Sequence, residues 1–262
     1  MSYLVVCGVA VVAAGLTLFS GFGLGTLLLP AFALFFPLEV AVAATAVVHL
    51  ANNLFKLALV GRDANFDVVV RFAVPGAAGA FAGAWMLAGL SGMAPLARWS
   101  LGAHAFEITP IKLVLGGLIA GFALLEVSKR AEALRFGRRW TPLGGAISGF
   151  FGGLSGHQGA LRAAFLLRLG LSKQAFIGTS VVAAVVVDCA RLAVYGVAFF
   201  ARDFAILREG GGEGLVVAAV AAAWLGSFLG ARLVRAVTLR ALEGIVAAML
   251  LLVAVLLAAG LV

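Results

Sequence analysis

The sequence predicts an all-α polytopic membrane protein made of two inverted-topology repeats. Each repeat is a broken, re-entrant helical hairpin followed by three transmembrane helices. Three observations carry that expectation. The 262 residues are 64% hydrophobic and only 11% charged, whereas globular domains run roughly 45–50% apolar and about 25% charged. The apolar residues gather into runs of membrane length. Polar landmarks then recur at one spacing, with Asn53 mapping on Asp188, 135 residues later. A soluble domain of this size cannot hide so much apolar surface or solvate itself with so little charge. A soluble enzyme, a secreted disulfide scaffold and a disordered chain are thereby excluded.

A hydrocarbon core about 30 Å thick needs roughly 20 apolar residues per helix. Ten apolar segments read off in order: 2–20, 22–36, 39–60, 69–90, 109–128, 141–155, 157–170, 173–200, 213–235 and 238–261. The first lacks a basic stretch ahead of it and a small-residue cleavage site, so it reads as a membrane segment and not as a removable signal. Segments 22–36 and 157–170 are short, reaching only roughly 21–23 Å at about 1.5 Å per residue. Both follow a glycine-containing break, Ser20-Gly21-Phe22-Gly23-Leu24-Gly25 and Ser155-Gly156-His157-Gln158-Gly159. These breaks read as tips of helical hairpins inside the membrane. The stretch 129–140 is basic and loop-like, and it separates the first five segments from the last five.

Lys and Arg set the orientation. Twelve fall on the side of the 129–140 loop and four on the side of the N-terminus. Cytoplasmic loops carry the excess, so the 129–140 loop is expected in the cytoplasm and both termini outside, in a cell (inner or plasma) membrane. The net charge of +8 is explained by this rule. No soluble basic patch with interleaved aromatics suggests nucleic acid. Cys7 and Cys189 lie in apolar runs and fit no metal spacing. No cofactor and no metal are expected.

The repeat is clearest at polar residues. Ser20-Gly21 maps on Ser155-Gly156, Ala44-Thr45 on Thr179-Ser180, Asn53 on Asp188, Lys56 on Arg191 and Gly61 on Gly196. Each half holds an odd number of segments, so the second half enters the membrane upside down, as in secondary transporters. The expected division is a first transmembrane repeat over 1–128, a basic cytoplasmic linker over 129–140 and a second, inverted repeat over 141–262.

The glycine-rich first tip followed by Pro30, and the run Gly153-Leu154-Ser155-Gly156-His157-Gln158-Gly159-Ala160-Leu161-Arg162, resemble the TauE/SafE family of anion exporters. The resemblance covers nearly the whole chain, and its specific part is His157–Arg162. It implies export of sulfite or an organosulfonate such as sulfoacetate. The first tip carries Phe22 and Gly23 where the second has His157 and Gln158, so the two tips are not chemically equal.

A helix that starts inside the membrane points free N–H groups and a positive dipole end at the midplane, which favours an anion. Small residues let the anion reach the backbone. Gly21, Gly23 and Gly25 would serve one tip; Gly156 and Gly159 would serve the other. Ser20 and Ser155 are caps or hydroxyl donors. Arg162, one turn into the second short helix, has the planar fork that suits a sulfonate, sulfite or carboxylate; its structural alternative is a lock with Asp188. His157 and Gln158 add donors at the tip. Thr45, His49, Asn52, Asn53 and Lys56 fall on one face of segment 39–60, with Asn52 and Asn53 as neutral donors to substrate. Asp188, Arg191 and Tyr195 form the matching stripe. An intramembrane polar stripe faces protein or water, so His49, Lys56, Asp188, Arg191 and Tyr195 are candidates for coupling or gating. At i,i+3, Asp188 and Arg191 also have the spacing to neutralise each other.

The expected partners are a small anionic substrate (a sulfur oxyanion or sulfonate) and the lipid bilayer. Gly79-x3-Gly83 and Gly226-x3-Gly230 pack helices either within one chain or in a homodimer. The leading expectation is a secondary exporter working by alternating access. An anion channel shares every feature of the site. An intramembrane serine protease, reading Gly153-Leu154-Ser155-Gly156 as a nucleophile motif, is the enzyme alternative and needs His157 or His49 as base.

Overall fold

A computed structural model describes residues 1–20, 24–102, 104–127, 136–209, 212–233 and 239–261. Among them the chain forms ten α-helices: α1 Ser2–Ser20, α2 Leu24–Ala33, α3 Leu38–Val60, α4 Phe66–Ser91, α5 Pro110–Val127, α6 Thr141–Ser155, α7 Gly159–Leu166, α8 Lys173–Glu209, α9 Gly212–Leu233 and α10 Leu239–Ala258. Each falls on one of the ten apolar segments of the sequence, with α8 running on from the expected 173–200 to Glu209 and the two short helices, α2 and α7, shorter than the 22–36 and 157–170 segments. Four stretches are long and apolar enough to cross a membrane: Leu38–Asp63, Phe66–Ser91, Lys173–Ala198 and Gly212–Gly230. The starts of α2 and α3, Leu24 and Leu38, recur at Gly159 and Lys173, again 135 positions on.

Local signals place the boundaries. Asn65 caps α4 by accepting from the Val68 N–H at 3.1 Å, which satisfies one of the donors a helix start leaves open. Pro142 opens α6 within its first turn, where a missing N–H costs nothing. Gly156 ends α6 in the left-handed region at φ +82°, and its N–H returns to the Gly152 carbonyl at 3.0 Å. The chain then restarts as α7 three residues later, so a break in the helix is built from one glycine.

Two glycine seams hold the bundle together. α4 packs along α6, and a Cβ on Gly145, Gly149 or Gly153 would collide with the carbonyl oxygen of Phe72, Gly76 or Ala80. From the other side, Gly79 and Gly83 fit against the Ala146 and Phe150 carbonyls. α1 packs along α9 in the same way, with Gly226 on the Val11 carbonyl and Gly230 on that of Gly15. Lipid tails are as apolar as the helices, so close van der Waals approach of small residues is what draws the helices together. Both small-residue motifs left open by the sequence are therefore used within one chain. Each seam joins a helix before the 129–140 linker to one after it.

α3 and α8 cross antiparallel between the seams. Gly178 near the start of α8 touches Val60 and Asp63 at the end of α3, while Asn53 and His49 reach Asp188.

The sequence reading has no strand, and here the structure adds one feature. Ala97–Leu101 and His104–Ile108 pair as an antiparallel β-hairpin, with Leu101 opposite His104. Its turn uses Gly102 at φ +62°. Trp99 packs at a tilt against Phe106, centroids 4.8 Å apart, and donates its indole N–H to the Ala259 carbonyl at 2.8 Å. Lys112 adds its ammonium to the Gly260 carbonyl at 3.3 Å. The last carbonyls of a helix lack internal partners, and the hairpin and Lys112 supply donors to those just beyond α10.

Candidate functional site

At the crossing of α3 and α8 lies a polar node with no solvent contact. Asp188 is 0% exposed and Arg191 1%. A buried carboxylate is tolerated only when its oxygens are fully engaged, and this one accepts on both. Oδ2 takes His49 Nδ1 at 2.7 Å and Asn53 Nδ2 at 2.8 Å. Oδ1 takes Gln158 Nε2 at 3.1 Å and pairs with Arg191 Nη2 at 2.9 Å. Three hydrogen-bonding side chains and one guanidinium in ion-pair contact, from three helical regions, thus converge on one side chain, while Arg191 Nε and Nη2 make no hydrogen bond. Asn53 and Asp188, matched by the sequence repeat, touch each other.

The node also fastens the break between α6 and α7. Arg191 Nη1 donates to the Gly152 carbonyl at 3.3 Å, and the Tyr195 hydroxyl donates to the Gly153 carbonyl. Both carbonyls belong to the last turn of α6, and that of Gly152 takes Arg191 in addition to the Gly156 N–H. Gln158, at the start of α7, donates to Asp188 and accepts from Arg162 Nη1 at 3.1 Å. Its backbone carbonyl accepts from Ser148 Oγ at 3.0 Å. Arg162 therefore joins the node through Gln158, and the direct lock with Asp188 considered from the sequence is not the contact that forms.

The stripe on α3 is buried as its helical spacing implies: Thr45, His49, Asn52, Asn53 and Lys56 are each no more than 6% exposed. Lys56 is thus an interior cation and does not snorkel. Asn52 is the member that departs. Its Oδ1 accepts from Ser227 Oγ on α9 at 2.8 Å, because one residue along a helix turns the side chain about 100° away from Asn53. It ties α3 to α9 instead of joining the node.

The two breaks approach each other. A Cβ on Gly25, in α2, would lie 3.5 Å from the Gly156 carbonyl oxygen, 3.7 Å from Thr45 and 3.9 Å from His49. Gly156 itself has Arg191 Nη1 3.0 Å from where its Cβ would be. Gly159 begins α7 and is buried. Ser20 is the last residue of α1; its side chain, and Gly21 and Gly23 entirely, lie outside the described residues, as do residue 128 and residues 129–135 of the linker.

His157 is 4% exposed and stacks flat on Phe122, centroids 5.4 Å apart. Its Nδ1 sits 3.0 Å from Ser155 Oγ and 3.1 Å from the Ser155 carbonyl. Ser155 Oγ donates to the Phe151 carbonyl at 3.1 Å, so its proton is already committed to the helix. Phe122 and Ser148 were missed by the sequence reading. Ser148 had a signal, since it lies two turns before Ser155 on the same face of α6; Phe122 had none.

Among the described residues, no group of His, Cys, Asp and Glu is arranged to hold a metal ion. Among the described residues, Lys56 and Arg191 are buried and Arg162 is half-buried, against the one buried carboxylate of Asp188, which leaves an excess of positive charge around the node. Such an interior attracts and desolvates an anion. A family model described as Sulfite exporter TauE/SafE matches residues 6–257. No curated protein and no solved structure matches the chain.

Proposed function

Because the chain belongs to the TauE/SafE sulfite exporter family, we propose that it is a secondary membrane transporter exporting sulfite or an organosulfonate such as sulfoacetate by alternating access. The observation that carries this reading is the buried node of Gln158, Asp188 and Arg191, joined through Gln158 to the half-buried Arg162 at the α6–α7 break. The anion is held between the tips by backbone N–H groups of α2 and α7 and by the Arg162 fork. Interior-negative potential makes efflux downhill, since one charge across 100 mV is worth about 2.3 kcal/mol.

Residues 1–128 and 141–262 are read as inverted repeats joined by a cytoplasmic 129–140 linker, with both termini outside. Support comes from the shared offset of helix starts and from the antiparallel crossing of α3 and α8 at Asn53 and Asp188. The glycine seams tie α4 to α6 and α1 to α9, so the bodies that rock are read as these mixed pairs and not as the two sequence halves. His49, Lys56, Asp188, Arg191 and Tyr195 are read as the coupling and gating set, because they join α3, α8 and the α6–α7 break.

Reconstituted vesicles test the reading. Saturable counterflow of sulfite, sulfoacetate or thiosulfate is expected, and it is lost in Arg162→Ala and in Gly156→Leu while both variants still purify as folded protein. Full transport by both variants refutes the site. Unitary currents in place of counterflow convert the carrier into a channel.

A second reading rests on one contact, the 3.0 Å approach of His157 Nδ1 to Ser155 Oγ, which a serine hydrolase would also use. The committed Ser155 proton speaks against it. Fluorophosphonate labelling abolished by Ser155→Ala is the result that would revive it.

A further inference from the structure

Two hydroxyls stand apart from the node. Thr45 Oγ1 and Ser180 Oγ are buried and have no hydrogen-bond partner. A Ser or Thr inside a helix ordinarily bonds back to the carbonyl one turn earlier, and a buried hydroxyl that makes no bond at all is a standing cost to the fold. Neither hydroxyl needs to be polar for packing. Thr45 is 2% exposed, and valine has the same shape.

Their placement is related. Ser180 lies 135 positions after Thr45, the offset that separates Asn53 from Asp188. Thr45 is eight residues before Asn53 on α3, and Ser180 is eight before Asp188 on α8. Eight residues span about 12 Å of helix and turn the side chain by about 80°. α3 and α8 run antiparallel, so the two hydroxyls fall on opposite sides of the node. With the node at mid-depth of a core about 30 Å thick, each lies just inside one face. Thr45 turns its methyl, Cγ2, toward Gly25.

The surrounding charge selects the ligand. Among the described residues, the stripes on α3 and α8 and the start of α7 carry Lys56, Arg191 and Arg162 against Asp188, whose oxygens are taken by His49, Asn53, Gln158 and Arg191. A cation is repelled from such a path, and an oxyanion is drawn to an unused O–H donor.

We propose that Thr45 and Ser180 are paired hydroxyl ligands for the transported oxyanion, one on each side of the node, which bind it in turn as it enters and leaves. This rests on the anion-transport reading and adds to it two sites outside the node. The Lys and Arg excess puts Thr45 toward the outside and Ser180 toward the cytoplasm.

The test measures the KM for radiolabelled sulfite separately in right-side-out and inside-out vesicles. Thr45→Val is expected to raise KM about tenfold when sulfite is offered from outside, the effect of losing one hydrogen bond to an anion, and to leave the cytoplasmic-side KM unchanged. Ser180→Ala is expected to do the reverse. Thr45→Ser and Ser180→Thr, which keep the hydroxyl, retain wild-type values. Thermal stability of the hydroxyl-free variants stays level or rises, because no bond within the protein is lost. The inference is overturned if both KM values stay at wild type, if both sides change equally, or if the hydroxyl-keeping variants fail like the others. It is also overturned if hydroxyl loss lowers stability, since the hydroxyl then serves the fold. Wild-type vesicles that carry no anion overturn the transport reading itself, an outcome distinct from silent variants in active vesicles.

Discussion

Replacing Asp188 by Asn changes one atom and leaves the shape of the node intact. The carboxylate accepts from His49 and Asn53 on Oδ2, at 2.7 and 2.8 Å, and on Oδ1 it accepts from Gln158 at 3.1 Å and pairs with the Arg191 guanidinium at 2.9 Å. An amide keeps one acceptor oxygen, and its NH2 must face the other two donors. If the NH2 faces Gln158 and Arg191, relief by turning Gln158 fails, because its Oε1 already accepts from Arg162. If it faces His49 and Asn53, those side chains can adapt by a tautomer change and an amide flip. Even then Arg191, 1% exposed, keeps its charge without a counter-ion. Breaking a buried pair from one side costs about 3–5 kcal/mol. On the scaling of a chain this size, thermal unfolding in detergent should fall by roughly 6–20 °C. The double variant Asp188→Asn with Arg191→Met removes both charges and should recover much of that loss, since pairs in contact are non-additive. An Asp188→Asn shift under about 2 °C, or a double variant whose losses simply add, refutes the claim that this ion pair holds α3, α8 and the α6–α7 break together.

Other outcomes follow from the same geometry. Gly149→Ala drives a Cβ into the Gly76 carbonyl and should cost about 1–3 kcal/mol or more, read as loss of the monodisperse peak on size exclusion. Gly117→Ala, with open space around the new atom, should gain about 0.5–1 kcal/mol. Gly156→Ala forces a side chain into φ +82° beside Arg191, at about 1–2 kcal/mol for the backbone alone, and transport should fall by more than stability does. Trp99→Phe removes the bond to Ala259; hydrogen exchange should rise in the 97–108 hairpin and just after α10, with a stability loss of about 1 kcal/mol.

Much of this architecture is legible in the chain because membrane helices announce themselves by length and apolarity, and a break by a glycine. The Gly153–Gly159 run states where α6 stops and α7 starts, and only glycine accepts the left-handed turn at 156. The match of Asn53 with Asp188 is also readable, but a shared offset does not dictate that the two residues touch, as they do. The β-hairpin is not. Its strands are five residues each, and its stabilising donors go to carbonyls near the far end of the chain, which no local pattern reveals. Asn52 and Asn53 are adjacent in sequence but face different helices, and only the packing of α9 with Ser227 tells them apart. The choice of seam partners is equally hidden. Glycines report that a backbone comes close, and nothing in their spacing names which one.

The seam between α1 and α9 has a consequence for synthesis. Gly226 follows its partner Gly15 by 211 residues. At about 5–20 residues per second, the ribosome needs roughly 10–40 s to deliver the helix that α1 is shaped to meet. Through that interval α1 has α2 beside it but not the backbone that Gly15 is shaped to meet. The α1–α9 seam therefore closes late in synthesis, and a chain truncated before α9 leaves Gly15 without its partner backbone.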